Sequence, residues 1–158
     1  MRKEAFLDKL QRKGILSLAE PSKEIAKAYL KKSESNLISS KILLENERFE
    51  KAISLAYYSM YHMAQALLHN IGIKCENHTA TIILIKRIFG IDSKELEDAK
   101  KDRVNTQYYV DLSIVNEDAS ELICRAERFN STIMDFMARL KRQDIETLRK
   151  RAEHMLGG

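Results

Sequence analysis

The chain has 158 residues, of which 44% are hydrophobic and 32% are charged. This balance is typical of a folded globular protein that is large enough to bury a core, and it excludes an intrinsically disordered chain. Lys and Arg outnumber Asp and Glu by 27 to 23, and the resulting net charge of +4 permits contact with nucleic acid without requiring it.

Gly and Pro residues fall between segments of helical periodicity, so the chain is predicted to be helical throughout. A short amphipathic helix is predicted over 2–13, ended by Gly14. Residues 17–21 are predicted to be a connector. Ser22 then caps a long helix that runs to about Asn46. No strand-like alternation of useful length is present along the chain.

The third helix is predicted to begin near Phe49 and to end before Gly72. Its core face is the clearest in the sequence, because apolar residues recur at three- and four-residue steps. These are Ile53, Tyr57, Met60, Tyr61, Ala64, Leu67, Leu68 and Ile71. Asn77 is predicted to cap the fourth helix, which Gly90 closes.

Ser93 is predicted to cap the fifth helix, which weakens over about 105–111. The last segment opens at Asn116, and its apolar stripe continues, bent or unbroken, as far as Met155. Because the connections are short, neighbouring helices are expected to be antiparallel. The sequence therefore predicts an all-α fold, an up-and-down helical bundle of about five helices.

Five of the six tyrosines lie in two clusters, Tyr57, Tyr58 and Tyr61 in the third helix and Tyr108 and Tyr109 after the fifth. Buried phenols need partners for their hydroxyl groups, so the two clusters are predicted to meet. Within the first cluster, Tyr57 and Tyr61 are four residues apart on the apolar face and are predicted to pack in the core.

Three motifs lie in order on the predicted helices: 49–62 (FEKAISLAYYSMYH), 77–80 (NHTA) and 103–108 (RVNTQY), the last followed by Asp111. Together they resemble the HEPN family (higher eukaryotes and prokaryotes nucleotide-binding), in particular its small stand-alone prokaryotic branch. The first motif is similar to the family's small-aromatic-aromatic-x-Met-aromatic-His helix, and the second to a Thr-His helix start. The third is similar to an Arg-x-x-Ala-Asp-Tyr element, with Gln107 where Asp is common.

The resemblance is strongest over 22–140 and implies one HEPN-like domain over 1–158. In that domain 1–16 is an N-terminal helix and 141–158 a C-terminal helical extension. The resemblance also implies a homodimer in which two copies of the Arg103 region face one another, and no cofactor is expected. Because this branch often accompanies minimal nucleotidyltransferases, a nucleotidyltransferase protein partner, nucleotide or RNA binding and a toxin–antitoxin role are implied.

Many HEPN proteins are metal-independent ribonucleases whose motif is an Arg followed, after four to six residues, by a His. Here Arg103 is present, but Tyr108 stands at the nearest position and no His follows before His154. A phenol with a pKa of ~10 is a poor general base near neutral pH. On a continuous helix the two residues also lie ~140° apart, so they converge only if the helix ends or loosens between them. Arg103 instead shares a face with Thr106 or Gln107.

The favoured prediction is therefore a non-catalytic, nucleotide- or RNA-associated protein. One alternative is a diverged ribonuclease in which Arg103 stabilises phosphate while Tyr108, Tyr109 or a distant histidine, His62 or His78, transfers the proton. A second alternative is a helical interaction module whose apolar dimer face is its whole function.

Arg103 is the leading candidate for binding phosphate, because a guanidinium can donate two parallel hydrogen bonds to it. The alternative is a salt bridge to Asp111 or Glu117. Asp111 is itself a candidate ligand-binding residue through the third motif. His78 follows a predicted cap residue, where it either meets an anion at the helix N-terminus or fixes the turn.

Tyr58, His62, Gln65 and His69 step by four, three and four residues along one side of the third helix. They form either a polar face that lines a cleft or dimer seam, or a half-buried stripe covered by a neighbouring helix. Tyr58 and His62 are candidate ligand-binding residues on the first interpretation. His62 and His69 lie ~10 Å apart along the axis, too far to share one ion easily, so no metal site is predicted.

Basic residues concentrate at 86–87 and along the last helix. Because Asp and Glu are interleaved with the second group, it is interpreted as a solvated helix face. Its members are Arg139, Lys141, Arg142, Arg149, Lys150 and Arg151. The alternative is a surface that tracks phosphates.

Cys75 and Cys124 have no metal-type spacing, and no apolar run approaches the ~20 residues that cross a bilayer. The N-terminus also lacks the uninterrupted apolar region of a signal peptide. We therefore expect a cytoplasmic protein with reduced thiols and no membrane association.

Overall fold

A computed structural model describes residues 2–108, 114 and 116–157. Within them the chain forms seven α-helices and one two-stranded sheet. In chain order these are α1 Arg2–Arg12, β1 Leu16–Leu18, α2 Lys23–Glu45, α3 Phe49–Asn70, β2 Ile73–Cys75, α4 His78–Phe89, α5 Lys94–Tyr108, α6 Asn116–Arg139 and α7 Arg142–Leu156. The predicted all-α class is confirmed: α2–α6 are the five helices of the bundle, and α1 and α7 flank them.

Two predicted helix starts are confirmed by their capping hydrogen bonds. The side chain of Ser22 accepts from the backbone N–H of Ile25 at 3.1 Å, and the side chain of Asn77 accepts from that of Ala80 at 2.9 Å. Each satisfies a backbone donor that has no partner inside the helix. At the other end of α4, Gly90 takes the left-handed conformation that commonly ends helices.

The sheet corrects the prediction that 17–21 is only a connector and that strands are absent. β1 and β2 pair antiparallel, with Leu16 opposite Cys75 and Leu18 opposite Ile73. Three residues are too few to display the period-two pattern of a strand, and the pairing joins segments far apart in sequence. The sheet therefore leaves no local signal.

The last segment consists of two helices, α6 and α7, separated at 140–141. A side-chain cap marks the start of the second helix, because Asp144 Oδ2 accepts from the backbone N–H of Lys141 at 2.8 Å. The interpretation of the basic residues here as a solvated face holds for Arg142, whose side chain is 95% exposed. It is wrong for Arg149, which is half-buried and whose Nη1 lies within hydrogen-bond distance of three backbone carbonyls.

Helix α3 lies at the centre of the core and packs against α2, α5 and α6. Its predicted apolar face is buried except at Tyr61, which is half-buried and packs against the edge of the core. Tyr57, Met60, Leu67 and Leu68 are inaccessible to solvent. Burying a large apolar side chain stabilises the fold by about 1.5–3 kcal/mol, so this face supplies much of the driving force for folding.

A buried polar network also joins α2, α3 and α6. The hydroxyls of Ser33 and Ser59 each donate to the other residue's carbonyl oxygen at 2.7 Å, and Asn130 Nδ2 donates to Ser59 Oγ at 2.9 Å. Such hydrogen bonds fix the register of the three helices, because sliding any one of them leaves buried polar groups unpaired.

None of the described helices combines the length and the apolar content needed to cross a lipid bilayer.

Candidate functional site

The middle of α3 meets α5 and the first residue of α4, and their side chains form a polar cluster that we call the Arg103 site. It consists of Arg103, Tyr57, Tyr58, Tyr61 and His78. The i, i+1 and i+4 spacing on α3 places the three phenols on adjoining faces of one turn. The cap at Asn77 fixes where α4 begins, and therefore where His78 projects.

The guanidinium of Arg103 is supported by uncharged groups. Its Nη1 donates to Tyr58 Oη at 3.2 Å and to Gln107 Oε1 at 3.1 Å, which confirms that Arg103 and Gln107 share a face. Its Cζ lies 5.2 Å from the ring centroid of Tyr57 and 5.4 Å from that of Tyr58, within cation–π range. These contacts orient the guanidinium without neutralising it.

Nε of Arg103 is buried and has no hydrogen-bond partner within 2–108, 114 and 116–157. Within the same residues Arg103 forms no ion pair, so the salt bridge to Glu117 that the sequence left open is not formed. Asp111, the other carboxylate considered, lies outside the described residues. The described surroundings of Arg103 therefore leave an oriented cation with donor capacity for an anion.

His78 is held by two tyrosines. Its Nδ1 is hydrogen-bonded to Tyr57 Oη at 2.5 Å, and its ring stacks on that of Tyr61 with centroids 3.9 Å apart and planes 1° from parallel. Burial, helped by the positive charges of Arg103 and Lys100, lowers the pKa of His78 to about 4. The imidazole is therefore neutral at physiological pH.

Two phenols of this site, those of Tyr57 and Tyr61, are held in their protonated form. Burial raises the pKa of Tyr57 well above its usual value and raises the pKa of Tyr61 to about 12. Neither phenol can act as a general base near neutral pH, because the deprotonated form is too rare. Both remain hydrogen-bond donors.

The low pKa of His78 predicts that acid destabilises the fold. His78 takes up a proton near pH 6.5 in the unfolded state but only near pH 4 in the folded state. The stabilisation that the neutral imidazole gives the folded state is therefore complete above pH 6.5 and is lost as the pH falls towards 4. Discounted for partial exposure, the loss between about pH 7.5 and pH 5 is roughly 1 kcal/mol. Urea unfolding at the two pH values should show this loss in the wild type but not in His78→Gln.

The matched control is His154→Gln, which removes an exposed histidine of α7 and should leave the wild-type pH dependence unchanged. Burial also lowers the pKa of His62 and His69, so a smaller acid sensitivity should persist in His78→Gln. Identical pH dependence in all three proteins would contradict the burial of a neutral His78.

The predicted polar stripe of α3 divides between two neighbours. His62 and His69 face Tyr29 of α2, with ring centroids 5.8 and 5.1 Å apart, and Asn36 donates to His62 Nδ1 at 2.9 Å. Gln65 turns the other way and donates to the carbonyl of Cys75 at 3.1 Å. Gln65 and His69 are thus buried, as the covered-stripe interpretation predicted.

The N-terminal end of the stripe, at Tyr58 and His62, keeps some exposure to solvent. Tyr58 and His62 are half-buried, and their rings stack with centroids 6.2 Å apart. Tyr58 contacts Arg103, and His62 is covered in part by Tyr29 and Asn36 of α2. Their half-buried state fits the covered-stripe interpretation, and a cleft or dimer seam at this end stays a prediction.

The other candidates of the third motif are only partly described. Helix α5 runs unbroken from Lys94 to Tyr108, so it does not end or loosen between Arg103 and Tyr108 as their convergence requires. The side chain of Tyr108 lies outside the described residues, as does all of Tyr109. The predicted meeting of the two tyrosine clusters therefore lies outside the described residues.

Lys100 is a member of the neighbourhood that the sequence analysis missed. It precedes Arg103 by one turn of α5, and its Nζ donates to Thr79 Oγ1 at 2.7 Å. The i, i+3 spacing from Arg103 was a visible signal that the two cations share one side of the helix. The sequence carries no signal for the proximity of Lys100 to α4, because that proximity depends on how the helices pack.

The chemistry available here is recognition of an anion. A guanidinium, a lysine and two accessible aromatic rings can bind a phosphate and stack against a base. No three His, Cys, Asp or Glu side chains come together as metal ligands in the part of the chain that the structure describes.

Three relatives are similar to parts of this chain. A UPF0332 protein of Pyrococcus horikoshii is 41% identical over 68 residues, which are 43% of this chain and 45% of the relative, so the match spans less than half of that protein. A UPF0332 protein of Gloeobacter violaceus is 26% identical over 115 residues, 68% of this chain and 91% of the relative. A Methanocaldococcus jannaschii protein named "Putative toxin" is 27% identical over 114 residues, 68% of this chain and 84% of the relative.

The HEPN domain profile matches residues 26–137, well over half of the chain. That range contains α3, α4 and α5 and with them the whole Arg103 site. It ends within α6, before α7 begins. In fold, in the order of its motifs and in this match, the chain belongs to the HEPN domain family.

Proposed function

We propose that this chain is a non-catalytic, RNA- or nucleotide-binding HEPN protein in which Arg103 binds a phosphate. The observation that carries the proposal is the state of Arg103: a guanidinium oriented by two tyrosine rings, with Nε buried and no carboxylate partner within the described residues. A phosphate supplies the charge and the acceptor oxygens that such a group lacks.

The proton-transfer groups of the site support binding over catalysis. Cleavage of RNA by general acid–base chemistry needs groups whose pKa lies near the working pH. The pKa of His78 is lowered to about 4, and its Nδ1 is occupied by Tyr57. The family's catalytic His is replaced by Tyr108 in this sequence.

The wider role we propose is that of one member of a toxin–antitoxin pair, acting as a homodimer with a minimal nucleotidyltransferase as its protein partner. The "Putative toxin" name of the Methanocaldococcus jannaschii relative supports the toxin–antitoxin part. The homodimer and the nucleotidyltransferase follow from the resemblance of the three motifs to the stand-alone HEPN branch.

Arg103→Ala should weaken binding of a fluorescently labelled single-stranded RNA by about tenfold or more, because a charge-assisted contact to phosphate is worth roughly 1.5–3 kcal/mol. Fluorescence anisotropy titrations at several salt concentrations measure this. The slope of log K against log salt should also become shallower by about 0.7, the value for one phosphate contact to a single strand. Arg103→Lys should recover only part of the affinity.

Arg142→Ala is the matched control, since it removes the same charge from an exposed position of α7. If both Ala variants bind RNA equally well, the role of Arg103 is refuted. AMP and ATP serve as competitors in the same titrations, and they distinguish binding of a free nucleotide from binding of an RNA strand.

The second candidate function is a diverged ribonuclease, favoured by the proximity of the neutral His78 imidazole to the ring under Arg103. The same RNA, incubated with the wild type in the presence of EDTA and resolved on a denaturing gel, tests it. Cleavage that is lost in both Arg103→Ala and His78→Gln would overturn the non-catalytic proposal.

A further inference from the structure

A basic groove of about 520 Å³ runs between α4 and α5 and reaches the start of α1. Five of its lining side chains are cationic: Lys3, Lys86, Arg87, Lys100 and Lys101. Glu97 is the one acidic side chain among the described residues that line it. The sequence analysis noted the pair at 86–87, but the cations of α5 join them only through the packing of the two helices.

Most of this charge is not neutralised locally. Arg87 pairs with Glu4 at 2.7 Å, and Lys101 lies 3.9 Å from Glu97, a long and exposed contact that contributes little. Within the described residues, Lys86 and the remaining lysines of the groove form no ion pair. The groove therefore carries a net positive potential between two walls of cations.

The groove lies next to the Arg103 site. Lys100 lines it and lies one turn before Arg103 on the same side of α5. Its Nζ binds Thr79, the residue that follows His78 in the first turn of α4. The groove and the Arg103 site are therefore neighbours along α4 and α5, and Lys100 and Thr79 lie where they meet.

We propose that this groove tracks the phosphate backbone of a single-stranded RNA and binds at least two phosphates beyond the one at Arg103. The inference rests on the proposed function of Arg103, which it deepens by naming a strand rather than a single nucleotide as the ligand. A linear polyanion suits cations on both walls of a groove.

The end of the groove favours RNA over an acidic polypeptide as its occupant. Beyond Arg103 lie the half-buried rings of Tyr58 and His62. Aromatic rings beside a basic channel are the usual means of stacking bases of a single strand, and an acidic peptide has no group that uses them in this way.

The double variant Lys86→Ala/Lys101→Ala tests the groove, with binding measured by anisotropy for a labelled trinucleotide and a labelled twelve-nucleotide RNA. The longer RNA should bind about tenfold more weakly than to the wild type, with a salt slope shallower by about 1.4 for two lost phosphate contacts. Affinity for the trinucleotide should change less than about twofold, because Arg103 is intact.

Two further variants complete the design. Lys27→Ala/Lys31→Ala removes the same charge from exposed positions of α2, which does not line the groove, and should bind the longer RNA like the wild type. Glu97→Gln removes the groove's carboxylate and should bind it about two- to threefold more tightly. This gain cannot result from misfolding.

The outcomes separate the two proposals. If Lys86→Ala/Lys101→Ala and Glu97→Gln bind the longer RNA like the wild type while Arg103→Ala is impaired, the groove proposal is overturned and the function of Arg103 stands. If only Arg103→Ala is without effect, the proposed function fails and the groove is a separate site. If poly-glutamate binds the groove more tightly than RNA, the occupant is an acidic polypeptide and the RNA assignment is overturned.

Discussion

Gly72→Ala is expected to destabilise the protein by about 3 kcal/mol or more. Gly72 turns the chain from α3 into β2 with φ of +82°, where a side chain costs about 1–2 kcal/mol. A Cβ there would overlap the Ala19 carbonyl oxygen and Arg149 Nη1 and would lie 2.8 Å from Pro21 N. The backbone cannot easily separate, because Ala19 N–H donates to the Gly72 carbonyl at 2.8 Å.

Gly14→Ala is the matched control for the backbone conformation alone. Gly14 also has a positive φ, +70°, but a Cβ there has no neighbour within 4 Å. Its substitution should therefore cost only about 1 kcal/mol. Urea unfolding followed by circular dichroism measures both variants, and equal losses would show that the crowding at Gly72 is relieved by relaxation.

The Gly72 turn also matters for the site. It leads through β2 and the Asn77 cap to His78, whose ring must meet Tyr57 and Tyr61. The position of the imidazole is thus set by a tight turn at the far end of a short strand. A Gly72 variant that still folds is a sensitive probe of how rigidly this placement is maintained.

The helices were predictable because their signals are local. The caps at Ser22 and Asn77, the closing Gly90 and the apolar period of α3 each lie within a few residues of the structure they specify. The contact of Arg103 with the aromatic residues of α3 was harder to predict. It was not predicted from the sequence, because no local pattern joins α3 to α5.

The features that sequence reasoning missed all depend on packing between distant segments. The β1–β2 pairing, the walls of the basic groove and the Arg149 contacts each join parts of the chain far apart in sequence. Arg149 illustrates the problem, because its acidic neighbours are typical of a solvated helix. Only the fold reveals that its guanidinium points at the backbone of the β1–α2 connection.

Arg149→Met is expected to destabilise the protein by about 2–4 kcal/mol, since hydrogen bonds to charged groups contribute roughly 1.5–3 kcal/mol each. Nη1 lies 2.6 Å from the carbonyl oxygen of Ala19, 3.1 Å from that of Ile71 and 2.7 Å from that of Gly72. Met preserves the apolar stem but removes the guanidinium donor from all three carbonyls, of which only that of Gly72 keeps a backbone donor, Ala19 N–H, among the described hydrogen bonds. The C-terminal helix thereby fixes the turn that precedes β2.

Urea unfolding of Arg149→Met beside Arg142→Met separates this role from a general loss of charge. Among the described residues Arg142 pairs with Glu146, at 3.5 Å on the exposed face, so its substitution should change stability by less than about 0.5 kcal/mol. Arg149 and Gly72 share contacts, so the double variant with Gly72→Ala should lose less than the sum of the single losses. Strict additivity would mean that the guanidinium does not fix this turn.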